Sequence, residues 1–305
     1  SVTEKYQDKR NDIINVKDKV IEFETGNVLI GSVSRLYMSN KCLLIADHKS
    51  VDKQIHIFNK NDFSYLTSIG NFGEGPEEIT VMGCLAIDEA HHQLYVSDHA
   101  KQKIFSYDMD SVMVDSLYKP QVKTAMNETL FPSEYQYIND TLSIAVLIKP
   151  TSTSTFNQFL GRWNMNTGEM IPMKYTHPDI QKKRITFAAS EKAGIYVECY
   201  TRHDLMTICS LDGELLYNIY GPDWDGGNGN KLQSFGTVMI GNDKIFVSYC
   251  GEDYARDSFP TKILVFDLEG NYFKTLETGY KISDCCYDSF NNRIILSLND
   301  VVQFA

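Results

Sequence analysis

No run in these 305 residues approaches 18 consecutive apolar residues, so a transmembrane helix is excluded. A leader peptide is not visible either. The chain opens on the polar stretch "SVTEKYQDKRND", and targeting segments are commonly missing from an expressed chain. Positive charge is scarce: 29 Lys and Arg stand against 40 Asp and Glu, a net charge of -11. That balance lacks the basic footprint of a nucleic-acid-binding protein, and none is expected as a partner. C-x-x-C pairs are absent from the seven cysteines (42, 84, 199, 209, 250, 285 and 286), which removes zinc ribbons and thioredoxin chemistry. The odd number leaves at least one thiol free unless a second chain takes it. Most of them fall in apolar runs and are predicted to be small buried hydrophobes. Long amphipathic helical patterns are missing too.

What is present is strand pattern. Short runs rich in Val, Ile, Tyr and Phe alternate with Asn, Asp and Gly turns. Six of these runs recur: "LLIAD" from Leu43, "LYVSD" from Leu94, "LSIAV" from Leu142, "IYVEC" from Ile195, "IFVSY" from Ile245 and "IILSL" from Ile294. Their starts lie 51, 48, 53, 50 and 49 residues apart. Each follows a turn and an earlier strand-like run, and Asp88 and Asp288 hold the same repeat position. After each come a loop, a third strand such as "KIFSYD" (103–108), a turn and a fourth strand. The turns "LDG" and "LEG" have tight-hairpin chemistry. Four antiparallel strands repeated six times predict an all-β, six-bladed β-propeller. The expectation is one propeller domain over 1–305, with blades near 34–70, 81–118, 133–175, 183–221, 235–279 and 280–305. The last repeat stops at its third strand, so "NVKDKVIEFE" (15–24) is predicted to complete it and leave no open sheet edge.

Two segments carry a family resemblance. "VIEFETGNVLIGSVSRLYMSNKCLLIAD" resembles the opening of the NHL-like or TolB-like six-bladed propellers of the cell envelope of gut bacteria. "IGNFGEGPEEI" is similar to their Gly-x-x-Gly-x-Gly-Pro-x-Glu stretch between the first two blades, matched here by Gly70, Gly73, Gly75, Pro76 and Glu78. Glu77 stands where a Gly is commoner. The specific resemblance covers roughly the first third of the chain. It implies a six-bladed propeller, export to the periplasm or outer membrane, and often a lipid anchor on a cysteine that precedes these residues. It implies no activity.

The glycine-rich stretch is not a phosphate loop. Walker A loops need Lys and a hydroxyl after the last glycine, where Pro76 and Glu77 stand, and no helix follows. It is read instead as an interblade crossing. Nucleophilic catalysis lacks its motifs: there is no G-x-S-x-G and no sialidase Asp-box. Asp47-His48 and Asp98-His99 sit at equivalent positions just after a core strand. Their Asp is expected to bond local backbone, while the sharper reading places them in a polar or metal-binding ring, since His and Asp are good ligands for divalent ions. Equivalent loops carry Lys149, Arg202, His203, Glu252, Asp253, Tyr254, Arg256 and Asn299, a mixed-charge set suited to a sugar or peptide. Tyr37, Tyr135, Tyr200 and Tyr254 are candidates to stack on sugars.

"GPDWDGGNGN" (221–230) groups Asp223, Asp225, Asn228 and Asn230 around glycines, with Trp224 anchoring the loop or facing ligand. An EF-hand counted from Asp223 would need Gly and Glu where Asn228 and Ser234 stand, so only an irregular Ca²⁺ loop is left. The expected function is a non-enzymatic ligand-binding or scaffold propeller without a cofactor. Its ligand, a glycan or peptide, would sit on the face carrying loops 70–80, 221–235 and 250–260. The alternative is a Ca²⁺-dependent hydrolase or lactonase with the ion at a central channel, for which Glu134, Asp284 and Asn299 are the candidates.

Overall fold

The computed structural model describes residues 2–229 and 231–305. It contains two compact units, one of residues 24–173 and one of residues 1–23 with 174–305. Strands β1 (Glu4–Tyr6) and β2 (Ile13–Asn15) open the chain and belong to the second of these.

In the unit 24–173 three four-stranded antiparallel sheets follow in sequence. The first is β3 (Ser34–Met38), β4 (Cys42–Asp47), β5 (Lys53–Asn59) and β6 (Tyr65–Asn71). Next come β7 (Met82–Asp88), β8 (Gln93–Asp98), β9 (Lys103–Asp108) and β10 (Gln121–Ala125). The third is β11 (Phe131–Asn139), β12 (Leu142–Pro150), β13 (Phe156–Trp163) and β14 (Met170–Pro172). A short helix, α1 (Met109–Val114), interrupts the second sheet, so its fourth strand begins only at Gln121. Asp108 starts that helix by accepting the Ser111 N–H at 2.8 Å, the usual N-cap bond.

Side chains alternate across each strand, so one strand serves two interfaces. From β8, Leu94 and Val96 pack with Leu44, Ala46, Ile55 and Ile57 of the first sheet. Tyr95, between them, packs with Tyr135, Ala145, Leu147 and Trp163 of the third. This two-sided burial explains why β4 and β8 read as nearly continuous apolar runs. Each fully buried side chain of Val or Leu size contributes roughly 1.5–3 kcal/mol.

The other unit repeats the pattern. β15 (Ile185–Ser190), β16 (Ile195–Tyr200), β17 (Leu205–Ser210) and β18 (Leu215–Tyr220) form its first sheet. β19 (Leu232–Ile240), β20 (Lys244–Asp253), β21 (Lys262–Asp267) and β22 (Tyr272–Glu277) form its second. A third holds β23 (Ile282–Asp288) and β24 (Arg293–Leu298). The turns after β17 and β21 place Gly213 at φ +90° and Gly270 at φ +82°, as their "LDG" and "LEG" chemistry predicts. Val197, Ile208 and Ile219 face Val238, Val247 and Leu264 across one interface. Met239 and Ile263 face Ile282, Cys285 and Leu296 across the next.

The N-terminal segment does more than was expected of it, and its boundaries differ. β1 adds to β18 in parallel, with Lys5 opposite Ile219. β2 adds to β22 in parallel, with Ile14 opposite Leu276. Lys17–Lys19 then makes a 3₁₀ turn, which breaks the predicted strand 15–24. Only its end reaches the last sheet. There Gln303 and Ala305 bond Leu298 and Leu296, and the Phe23 N–H donates to the Phe304 carbonyl at 3.0 Å. The two Phe rings stack 5.7 Å apart. All seven cysteines are buried and unpaired, as expected, and burial pushes the Cys84 and Cys209 thiols up to about 12. No helix among the described residues is long and apolar enough to cross a membrane.

Candidate ligand-binding cleft

In the unit 24–173 the Asp-His pairs are held by backbone. Asp47 accepts the N–H groups of Gly31 at 2.9 Å and Lys49 at 3.2 Å. Asp98 is buried and accepts from Thr80, Val81, Ala100 and Lys101 at 2.8–3.2 Å. Each carboxylate thus clips the segment that leads into the first strand of its own sheet. His48 meets the Gly83 carbonyl at 3.0 Å, and His99 lies edge-on to Phe131 at 5.8 Å. Glu134 forms a two-pronged ion pair with Arg35. The glycine-rich stretch is closed by its own groups: Glu78 accepts the Gly75 N–H at 2.9 Å, and the Lys101 ammonium caps the carbonyls of Gly75 and Glu78.

Among the described residues, one trio of possible metal ligands converges, Asp88, His91 and Asp140. It includes none of the predicted metal residues. Asp88 already accepts from the His91 backbone, the His91 ring and the Tyr95 hydroxyl at 2.7–3.1 Å, which makes it a turn cap.

The other unit contains a large open cleft of about 970 Å³. Its wall is drawn from residues 179–184, 201–203, 226–229, 233–236 and 250–260. Of the predicted site residues, Arg202, His203, Asn228 and Tyr254 line it. The Arg202 guanidinium lies 3.7 Å from the centroid of the exposed Tyr254 ring, a cation–π contact. His203 is 4% exposed and packs between Tyr200 and Trp224, each 5.9 Å away. Trp224 therefore anchors the 221–229 loop, packing at steep ring angles against His177 and Tyr220 as well. That loop needs its glycines. Gly227 at φ +94° and Gly229 at φ +62° take left-handed conformations, and a Cβ on Gly229 would sit 2.4 Å from the His203 ring.

Other candidates serve local structure. Asp253 caps a 3₁₀ turn by accepting the Ala255 N–H at 2.8 Å, and Glu252 pairs with Arg256 at 3.3 Å. Asp223 accepts the Tyr249 hydroxyl at 2.6 Å, and Asp225 accepts the Gly229 N–H at 3.1 Å. The Asn228 amide donates to the Asp225 carbonyl at 2.9 Å. Asn230 lies outside the described residues. Asp284 accepts the Thr237 hydroxyl at 2.7 Å, and the Asn299 N–H bonds the Lys281 carbonyl.

Several residues of the cleft and its support had no sequence signal. Lys182 and Arg184 line the cleft without having been singled out, and Gln233 lines it from the 221–235 loop expected on the ligand face, though not named there. Asp204, beside His203, is fully buried and pairs with Arg10 at 2.6 Å. No sequence pattern pointed to it: Asp47 and Asp98 end their core strands, whereas Asp204 directly precedes β17.

Four histidines are held neutral by burial: desolvation lowers the pKa of His56, His99, His177 and His203. Asp179 donates its N–H to His177 Nδ1, so the neutral ring carries its proton on Nε2, facing the Tyr220 hydroxyl at 2.7 Å. The unfolded chain binds more protons than the folded one below its ordinary His pKa of about 6.5. The stability these rings hold above that pH is therefore lost as pH falls through it. Urea unfolding at about pH 5.5 should give a lower midpoint than at about pH 7.5. An equal or higher midpoint at the acid pH would contradict the burial of these rings.

Solved structures similar to this chain are distant from it in sequence. One, from Bacteroides fragilis, is described as a "Putative exported protein"; its TM-score is 0.59 at 12% identity, covering 96% of this chain and 87% of that one. Another is a member of the DUF4221 family from Bacteroides vulgatus, with TM-score 0.59 and 10% identity over 92% of this chain and 91% of that one. The β-propeller domain of Cps50 (Swd1) from Myceliophteria thermophila has TM-score 0.56 and 9% identity, over 92% and 98%. Such likeness shows the fold alone. No curated protein matches the chain. The model of the family DUF5128, described as a 6-bladed beta-propeller, matches residues 2–159, and the chain belongs to that family.

Proposed function

We propose that this is an exported, non-enzymatic binding or scaffold protein of the cell envelope, which holds a glycan or peptide in the cleft around Arg202, His203 and Tyr254. The cleft itself carries the reading. About 970 Å³ is within the range of small-ligand sites. Its wall presents amides, cations and an aromatic ring, the groups that fix a polar ligand by hydrogen bonds and stacking. The export of a structural neighbour, as its description has it, supports an extracytoplasmic location. In this reading the protein is kin to the NHL-like and TolB-like propellers, uses no cofactor, touches no nucleic acid, and meets the membrane through a lipid anchor.

Arrays of oligosaccharides and peptides, read with wild type and Tyr254→Ala, test it. A ligand should appear on one array, and the variant should bind it roughly tenfold more weakly through loss of the aromatic surface. Silence on both arrays, or binding unaffected by the substitution, would refute the assignment of this cleft.

A further inference from the structure

The charge of the cleft opposes the charge of the chain. The protein as a whole carries -11. Among the described residues of the cleft wall, Lys182, Arg184 and Arg202 face a single carboxylate, Asp179. A patch of opposite sign to the rest of the surface concentrates field in a concave site and draws a counter-charged ligand. Arg184 and Arg202 are also partly prearranged. Arg184 donates to the Lys183 carbonyl at 2.7 Å, and Arg202 lies over the Tyr254 ring. A planar guanidinium held in place offers a fork that matches an oxyanion with two parallel bonds, at a smaller ordering cost than a loose lysine. Desolvation already lowers the Arg184 pKa, the sign of a cation kept partly out of water.

The neutral part of the wall selects between carbohydrate and peptide. Peptide grooves offer apolar pockets for side chains. The apolar members here are few: Phe235 is 3% exposed and Cys250 is 8% exposed, so neither opens a pocket, and Pro260 adds a single half-buried ring. In their place stand Gln181, Asn228 and Gln233, planar groups suited to hydroxyls. In this wall His203 Nδ1 and Gln233 Oε1 are buried without a hydrogen-bond partner. A buried polar atom in that state carries a free-energy cost that rearrangement around a polar ligand can remove.

Resting on the binding function proposed above, we propose that the cleft selects an anionic oligosaccharide, one whose carboxylate or sulfate groups are read by Lys182, Arg184 and Arg202. Calorimetric titration separates the arms with four probes: hexagalacturonate, its neutral methyl ester, a sulfated galacto-oligosaccharide and hexaglutamate. At least one anionic sugar should bind about tenfold or more tightly than the neutral ester, a discrimination typical of charge-assisted hydrogen bonds. Its affinity should fall as salt rises. The double variant Lys182→Gln, Arg184→Gln should remove most of that preference while unfolding at the wild-type temperature. Should that variant not fold, the salt dependence and the ester comparison on wild type decide alone. Which anion binds, carboxylate or sulfate, identifies the source. Equal binding of the neutral ester overturns the anionic inference and leaves the binding function standing. Tighter binding of hexaglutamate overturns the carbohydrate class. If neither anionic sugar binds at millimolar concentration, the inference fails, and failure of every probe, together with silent arrays, removes the binding function with it.

Discussion

Replacing Asp204 by alanine should lower the free energy of unfolding by roughly 3–5 kcal/mol, the usual cost of leaving one partner of a buried ion pair alone. Both partners are out of water: the Asp204 side chain is 0% exposed and that of Arg10 is 5% exposed. Asp204 also accepts the Asp223 N–H at 3.0 Å, so its loss loosens the start of the 221–229 loop. Arg10, for its part, lies 5.5–5.7 Å from the rings of Phe235, Tyr249 and Phe266. Stripped of Asp204, this guanidinium would remain in an apolar, aromatic pocket with no counter-charge. A double-mutant cycle with Arg10→Ala isolates the pair. Its coupling should be strong, because the second substitution removes the stranded charge that the first creates. A cost below about 1 kcal/mol, the range of exposed pairs, would show that the pair is hydrated.

Removing residues 1–16 should be at least as damaging. The deletion takes away Arg10 and strands Asp204, so the same roughly 3–5 kcal/mol is at stake before any strand is counted. It also strips β1 and β2 from the outer edges of β18 and β22. The Tyr6–Tyr220 stack, with centroids 4.5 Å apart, goes with them. Two sheet edges then present unpaired N–H and C=O groups, which invites pairing between molecules. The expected outcome is a lower urea midpoint together with aggregation that grows with protein concentration. A truncated protein that stays monomeric with the wild-type midpoint would mean that the segment merely rests on the surface.

Much of this was legible in the residues because β structure announces itself locally. The six recurring apolar runs begin or lie inside β4, β8, β12, β16, β20 and β24, the second strand of each sheet. Alternation, turn residues and a period near 50 need no knowledge of distant contacts. The N-terminal segment shows where that local signal ends. "NVKDKVIEFE" has the composition of a strand, yet a turn at Lys17–Lys19 divides it, because its two ends are claimed by different sheets. Likewise, α1 delays the fourth strand of the second sheet although nothing in the repeat announces an insertion.

The site followed the same division. The sequence alone placed Arg202, His203, Asn228 and Tyr254 on loops with polar, ligand-ready chemistry. It predicted local backbone partners for Asp47 and Asp98, as found at Lys49, Ala100 and Lys101, but not that they also hold backbone 16 and 18 residues upstream, nor that Glu252 and Arg256 neutralise one another. Nor could it join Asp204 to an arginine 194 residues away. The reason is physical. A residue's type and spacing determine what strand or turn it can enter, since those bonds run between near neighbours. Whether its charge stays available depends on which distant groups the sheets bring beside it, and in this protein that pairing was decided only when the blades packed.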